Sequence, residues 1–147
     1  MEDTFTTAGR EWKVDERVIV VSTHASSVAP RVLKIQRVAE KSFVVDGERY
    51  RRDKLAKGLP TAWTGQGWGR FSVTIIPLDH PYAPALLAER ALYKQWRQVH
   101  SAQSEWDRNR TVESAESLRT ELADWIEARK VRDSEQAAWA QRTRDGR

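Results

Sequence analysis

The dipeptide Asp46-Gly47, set between two alternating runs, constrains this chain more than any other feature. In Ser42-Phe-Val-Val-Asp-Gly-Glu-Arg-Tyr-Arg-Arg52 it forms the favoured two-residue hairpin turn, because both residues tolerate positive φ. The turn dictates the pairing: Val45 with Glu48, Val44 with Arg49, Phe43 with Tyr50, Ser42 with Arg51. Phe43 and Tyr50 then make an aromatic cross-strand pair on one face, and Arg49 and Arg51 share the other. One face is built to pack, the other to carry positive charge.

Around this hairpin the first half of the chain reads as strands. Arg17-Val-Ile-Val-Val-Ser22 is a β-branched run of the kind buried on both sides or set in a barrel wall. Pro30 to Val38 is a second strand, with a bulge near Gln36 and Arg37 needed to restore its alternation. Leu55 to Arg70, with Gly58, Pro60, Gly65, Gly67 and Gly69, reads as a long connection. Phe71-Ser-Val-Thr-Ile-Ile-Pro77 is the last strand, ended by a residue with no N–H to donate. Five short strands before residue 79, one tight hairpin and one long excursion predict an SH3-like five-stranded β-barrel over residues 1–79.

The second half reads as helix. Pro81 and Pro84 suit a first helical turn. Ala85, Ala88, Leu92, Trp96, Val99 and Trp106 follow an apolar stripe. Asp107-Arg-Asn-Arg110 breaks it, and Thr111 caps a second helix over Val112 to about Arg142. The stripe there is Ala115, Leu118, Leu122, Trp125 and Ile126, shifting to Ala128, Val131, Ala138 and Trp139. Two antiparallel helices burying these stripes make a helical hairpin over residues 80–147 and an α+β protein overall.

The layout from Glu16 to Asp79 is similar to small barrels of the KOW and Tudor type. Glu16-Arg-Val-Ile-Val-Val-Ser22 followed by Asp46-Gly47-Glu-Arg-Tyr-Arg-Arg-Asp53 also resembles a set of small bacteriophage-encoded and actinobacterial barrel proteins with no established common function. The resemblance covers about half the chain. It implies a fold and a viral, phage-type origin. It carries no catalytic residue over, and the KOW-type loop glycine after the first strand is missing.

The chain has no cysteine, which excludes disulfides, a thiol nucleophile and thiolate metal sites. His24, His80 and His100 lie in three separate elements without metal-ligand spacing, so no metal and no cofactor is expected. Ser22-Thr-His24 with Ser26 and Ser27 reads as a turn rather than a nucleophile and base, since neighbours on a strand point to opposite faces. Gly65-Gln-Gly-Trp-Gly69 lacks the spacing of a phosphate loop. Its reading is a loop presenting Trp63 and Trp68, with both indoles more readily folded back over the open barrel end. Glu113 and Glu116 suit a helix start. No acid–base pair assembles, so a non-enzymatic protein is expected. No apolar stretch approaches the roughly 20 residues a bilayer needs, and Met1 to Lys13 is too acidic for a signal peptide. The expected location is the cytoplasm of a bacterial host, away from membranes.

Two binding surfaces follow. The formal net charge of +4 is concentrated: residues 31–57 hold nine cations and four carboxylates, while residues 1–30 hold three and five. Arg31, Lys34, Arg37, Lys41, Arg49, Arg51, Arg52 and Lys54 are therefore candidate nucleic-acid contacts on one barrel face. The helical half holds Trp96, Trp106, Trp125 and Trp139, more than a lone hairpin comfortably buries, and tryptophan is enriched at interface centres. The leading expectation is a phage-type accessory protein that binds a protein partner, host or phage, through the hairpin and the Trp63/Trp68 loop. The alternative is a nucleic-acid-binding barrel. Self-association is left open.

Overall fold

A computed structural model describes residues 5–23, 29–64 and 71–145. The chain divides into two compact units, one ending at Ala83 and one spanning Pro84–Asp145.

The first unit is an antiparallel sheet of seven strands among the described residues: β1 (Arg17–Ser22), β2 (Arg31–Val38), β3 (Ser42–Val45), β4 (Glu48–Arg51), β5 (Leu55–Ala56), β6 (Leu59–Thr64) and β7 (Phe71–Pro77). Their order is β4-β3-β2-β1-β7-β6-β5, and the sheet curls until β4 approaches β6, giving a nearly closed barrel. The β3–β4 hairpin pairs in the register its turn dictates, with Asp46 and Gly47 both at positive φ. The bulge falls between Ile35 and Arg37.

The strand count is seven, not five, because the stretch after Leu55 is not all connection. Lys57 and Gly58 both take positive φ and close a second two-residue hairpin, β5 to β6. Lysine is an uncommon first residue in such a turn, which hides it from sequence patterns. Gly58 is required there, because a Cβ would lie 2.5 Å from the Phe5 carbonyl oxygen. That close approach comes from the N-terminal segment, whose Thr7 donates both its N–H and its hydroxyl to the Gly58 carbonyl.

The core joins Val18, Val20, Ile35, Val45, Val73 and Ile75 to an aromatic stack. Phe43 lies between Trp12 (ring centroids 4.6 Å apart) and Tyr50 (5.7 Å). Trp12 is the large apolar plug expected of the loop tryptophans. It is buried, whereas Trp63 is 61% exposed and Trp68 lies outside the described residues. Arg10 lies over Trp12 and ion-pairs with both Glu16 and Asp79, tying the leader to both ends of the barrel chain.

His80 follows this junction. Its Nδ1 accepts the Tyr82 N–H at 2.9 Å and its ring meets Phe5 edge-on. Burial pushes its pKa below the ordinary 6.5, with the Asp79 carboxylate opposing. The unfolded chain then binds the proton more readily than the folded one, so stability falls as pH drops below about 6.5. The urea midpoint should fall between about pH 7.5 and 5.5. His80→Asn, which keeps an acceptor but cannot titrate, should flatten that slope; an equal slope in the variant would refute the assignment.

The second unit contains α1 (Ala83–Arg108) and α2 (Val112–Asp145). Thr111 caps α2: its Oγ1 accepts the Ser114 N–H while Ser114 Oγ accepts the Thr111 N–H. The two helices run antiparallel, linked by Gln95 Nε2 donating to the Glu121 carboxylate and by an Arg132–Glu89 ion pair at 2.8 Å. No helix among the described residues is long and apolar enough to cross a membrane.

Candidate functional site

Strand pairing decides which cations gather. Partners across an antiparallel ladder share a face, and successive residues alternate. Val18 and Leu33 pair on the core side, so their neighbours Arg17 and Lys34, also paired, face outward. Val45 and Phe43 are core, so Val44 faces outward with its two partners, Arg37 on β2 and Arg49 on β4. Arg51 stands two residues along from Arg49, opposite Ser42. The outer face of β1-β2-β3-β4 thus carries Arg17, Lys34, Arg37, Arg49 and Arg51, all exposed.

The electrostatics separate these cations. Arg51 is bidentate to Asp53, holding that carboxyl below its ordinary value. Among the described residues, Arg17, Lys34, Arg37 and Arg49 form no ion pair, and Arg17 stands directly opposite Lys34. Like charges facing each other across a ladder oppose folding by a few tenths of a kcal/mol to about 1 kcal/mol. Four cations without an ion-pair partner among the described residues therefore share one face.

The remaining sequence candidates do other work. Arg31 pairs with Asp46 at the hairpin turn. Arg52 donates to the carbonyls of Ala39, Glu40 and Arg10, fastening the leader to the β2–β3 turn. Lys41 joins Arg52 and Asp53 in lining a cavity of about 440 Å³ against Thr7–Arg10. Lys54 lies beyond β4, off the row. Arg17 was not a candidate, because by position it belongs to the acidic leader. Only its pairing with Lys34 brings it onto the face.

The helical tryptophans also divide. The buried and half-buried positions of α2 include Ser114, Leu118, Glu121, Trp125, Ala128, Arg132, Glu135 and Trp139, spaced four and three alternately, with Ala115 and Gln136 beside them. Those of α1 include Ala85, Ala88, Leu92, Gln95, Val99, Ala102 and Trp106 in the same alternation, with Ala83, Leu86, Glu89 and Tyr93 beside them. Both are heptad seams. Trp106, Trp125 and Trp139 therefore sit in the seam, and Arg110 and Arg129 lie over the rings of Trp106 and Trp125. Trp96 is outside it, 48% exposed, as are Leu122, Ile126 and Val131 of the expected stripe. The helices repeat on 3.5 residues, so the seam takes Gln95 and Glu121 where an apolar stripe would take Trp96 and Leu122.

No group of three or more His, Asp or Glu side chains among the described residues could hold a metal ion. His24, Ser26, Ser27 and Gly65 to Gly69 lie outside the described residues. No family model matches the chain, and no curated protein or solved structure matches it.

Proposed function

We propose that the barrel, read as SH3-like on its bulged β2 and tight β3–β4 hairpin, binds the phosphate backbone of duplex nucleic acid. The supporting observation is the row of four cations, Arg17, Lys34, Arg37 and Arg49, on the outer face of β1–β4, none ion-paired to a carboxylate among the described residues. Such a face neutralises phosphates and releases counterions irrespective of base sequence. It carries no aromatic side chain, and single-strand platforms rely on base stacking, so duplex is the favoured form. This reading moves ahead of a protein partner held by the tryptophans, because three of the four helical indoles are engaged in the hairpin seam.

The test is a fluorescence-anisotropy titration with random-sequence duplex DNA over a range of salt. Four phosphate contacts predict a slope of log K against log salt of about −3.6. No sequence preference is expected, and weaker binding to a single strand of the same length. Undetectable duplex binding at low salt would refute the reading.

A further inference from the structure

Once the seam is filled, the hairpin keeps an apolar flank. On α1, Tyr93, Trp96 and His100 stack in series, with centroids 6.0 and 5.3 Å apart. On α2, Leu122 and Ile126 are 43% and 48% exposed, one turn apart. Trp96 and Leu122 each follow a seam residue by one position, Gln95 and Glu121, which is the heptad e site. In an antiparallel pair the two e sites lie on the same side of the seam, so these side chains share one flank. The flank of two helices, about 20 Å across and about 39 Å long, presents roughly 800 Å², the size of one side of a standard interface.

We propose that this flank is where two copies of the chain pack, α2 antiparallel to α2 of the second copy, about a two-fold axis that passes between Leu122 and Ile126. The charge distribution of α2 names the occupant. Outside the seam, residues 112–128 hold Glu113, Glu116, Asp124 and Glu127 against Arg119 alone, while residues 129–145 hold Arg129, Lys130, Arg142 and Arg144 against Asp133 and Asp145. An acidic-first, basic-last helix is complementary to itself only when reversed, which is the isologous arrangement of a two-fold dimer. In that register Leu122 meets Ile126 of the partner subunit. Glu116 reaches Lys130 of the partner subunit, whose exposed pair with Glu127 exchanges at little cost. Arg119 meets Asp133 of the partner subunit, which Arg129 and Arg132 of its own helix also hold.

Sedimentation velocity of the full chain from micromolar to hundreds of micromolar tests this. The expected species has twice the 16.9 kDa chain mass. Leu122→Glu and Ile126→Glu should each weaken dimerisation at least about tenfold, with helical circular dichroism unchanged. Glu116→Lys should also weaken it, and adding Lys130→Glu in the same chain should restore it. A monomer at every concentration overturns the proposal. So does a dimer indifferent to the Leu122 and Ile126 variants, which places the interface elsewhere, or a charge swap that fails to restore, which excludes the antiparallel register. None of these outcomes bears on duplex binding by the barrel.

Discussion

Replacing Arg37 and Arg49 together by glutamate is expected to abolish duplex binding while leaving the barrel folded. The two side chains flank Val44 across three adjacent strands, so they act on one patch of backbone. Reversing both changes the four-cation row from +4 to zero. The salt slope should collapse from about −3.6 towards zero, and low-salt affinity should fall by more than about a hundredfold. Neither guanidinium has an ion-pair partner among the described residues, so its loss strands no buried charge. Stability should hold or rise slightly as like-charge repulsion is relieved. Two controls sharpen the result. Arg49→Lys keeps the point charge and should bind nearly as the parent does. Arg31→Gln removes a cation already committed to Asp46 and should cost much less than the double reversal. Full-strength binding by the reversed protein would show that the outer face is not the interface.

The same elements show how far local sequence reaches. The β3–β4 hairpin was legible to the residue, because a two-residue turn leaves one pairing free of strain and Asp46-Gly47 announces it. The bulge in β2 was legible because Val38 breaks a strict alternation. Thr111 was legible as a cap from its place directly after the polar break Asp107–Arg110, although Ser114 completes the box where a glutamate is usual. The β5–β6 hairpin was not, since Lys57 reaches positive φ through the demands of strand pairing and not through its own preference. Trp12 was overlooked because one aromatic in a polar leader has no periodicity; its role depends on where the leader returns across the barrel.

Arg17 and the helical seam share a different cause. Counting charge by segment follows the chain, whereas a sheet gathers charge across it, so the acidic leader concealed one member of the cation row. In the helices, hydrophobic stripes drawn at 3.6 residues drift across a 3.5-residue seam over nine turns. The drift exchanged Gln95 and Glu121 for Trp96 and Leu122. It also turned an apparent excess of buried tryptophan into one exposed indole beside two aliphatic side chains, which makes the flank a surface with a definite centre.

Phe43→Ala should be the most damaging single substitution in the barrel. Its ring is 1% exposed and stacks on Trp12 at an interplanar angle of 26° and on Tyr50 at 21°. It therefore holds the leader to the hairpin as well as filling the core. Burial pushes the Tyr50 hydroxyl up to about 12, in keeping with a side chain that is 2% exposed. Removing a ring from such a site costs about 3–5 kcal/mol in transfer and cavity terms. A small domain has about 5–15 kcal/mol in all, so the variant should populate unfolded barrel measurably at room temperature. Near-ultraviolet circular dichroism during a urea titration reads this, because the aromatic stack dominates the signal of the barrel and the helices dominate the far ultraviolet. Phe43→Leu, which keeps most of the volume but loses the stacking, should cost about 1–2 kcal/mol. If alanine costs no more than leucine, Trp12 closes into the vacated space unaided and the stack is not what anchors the leader.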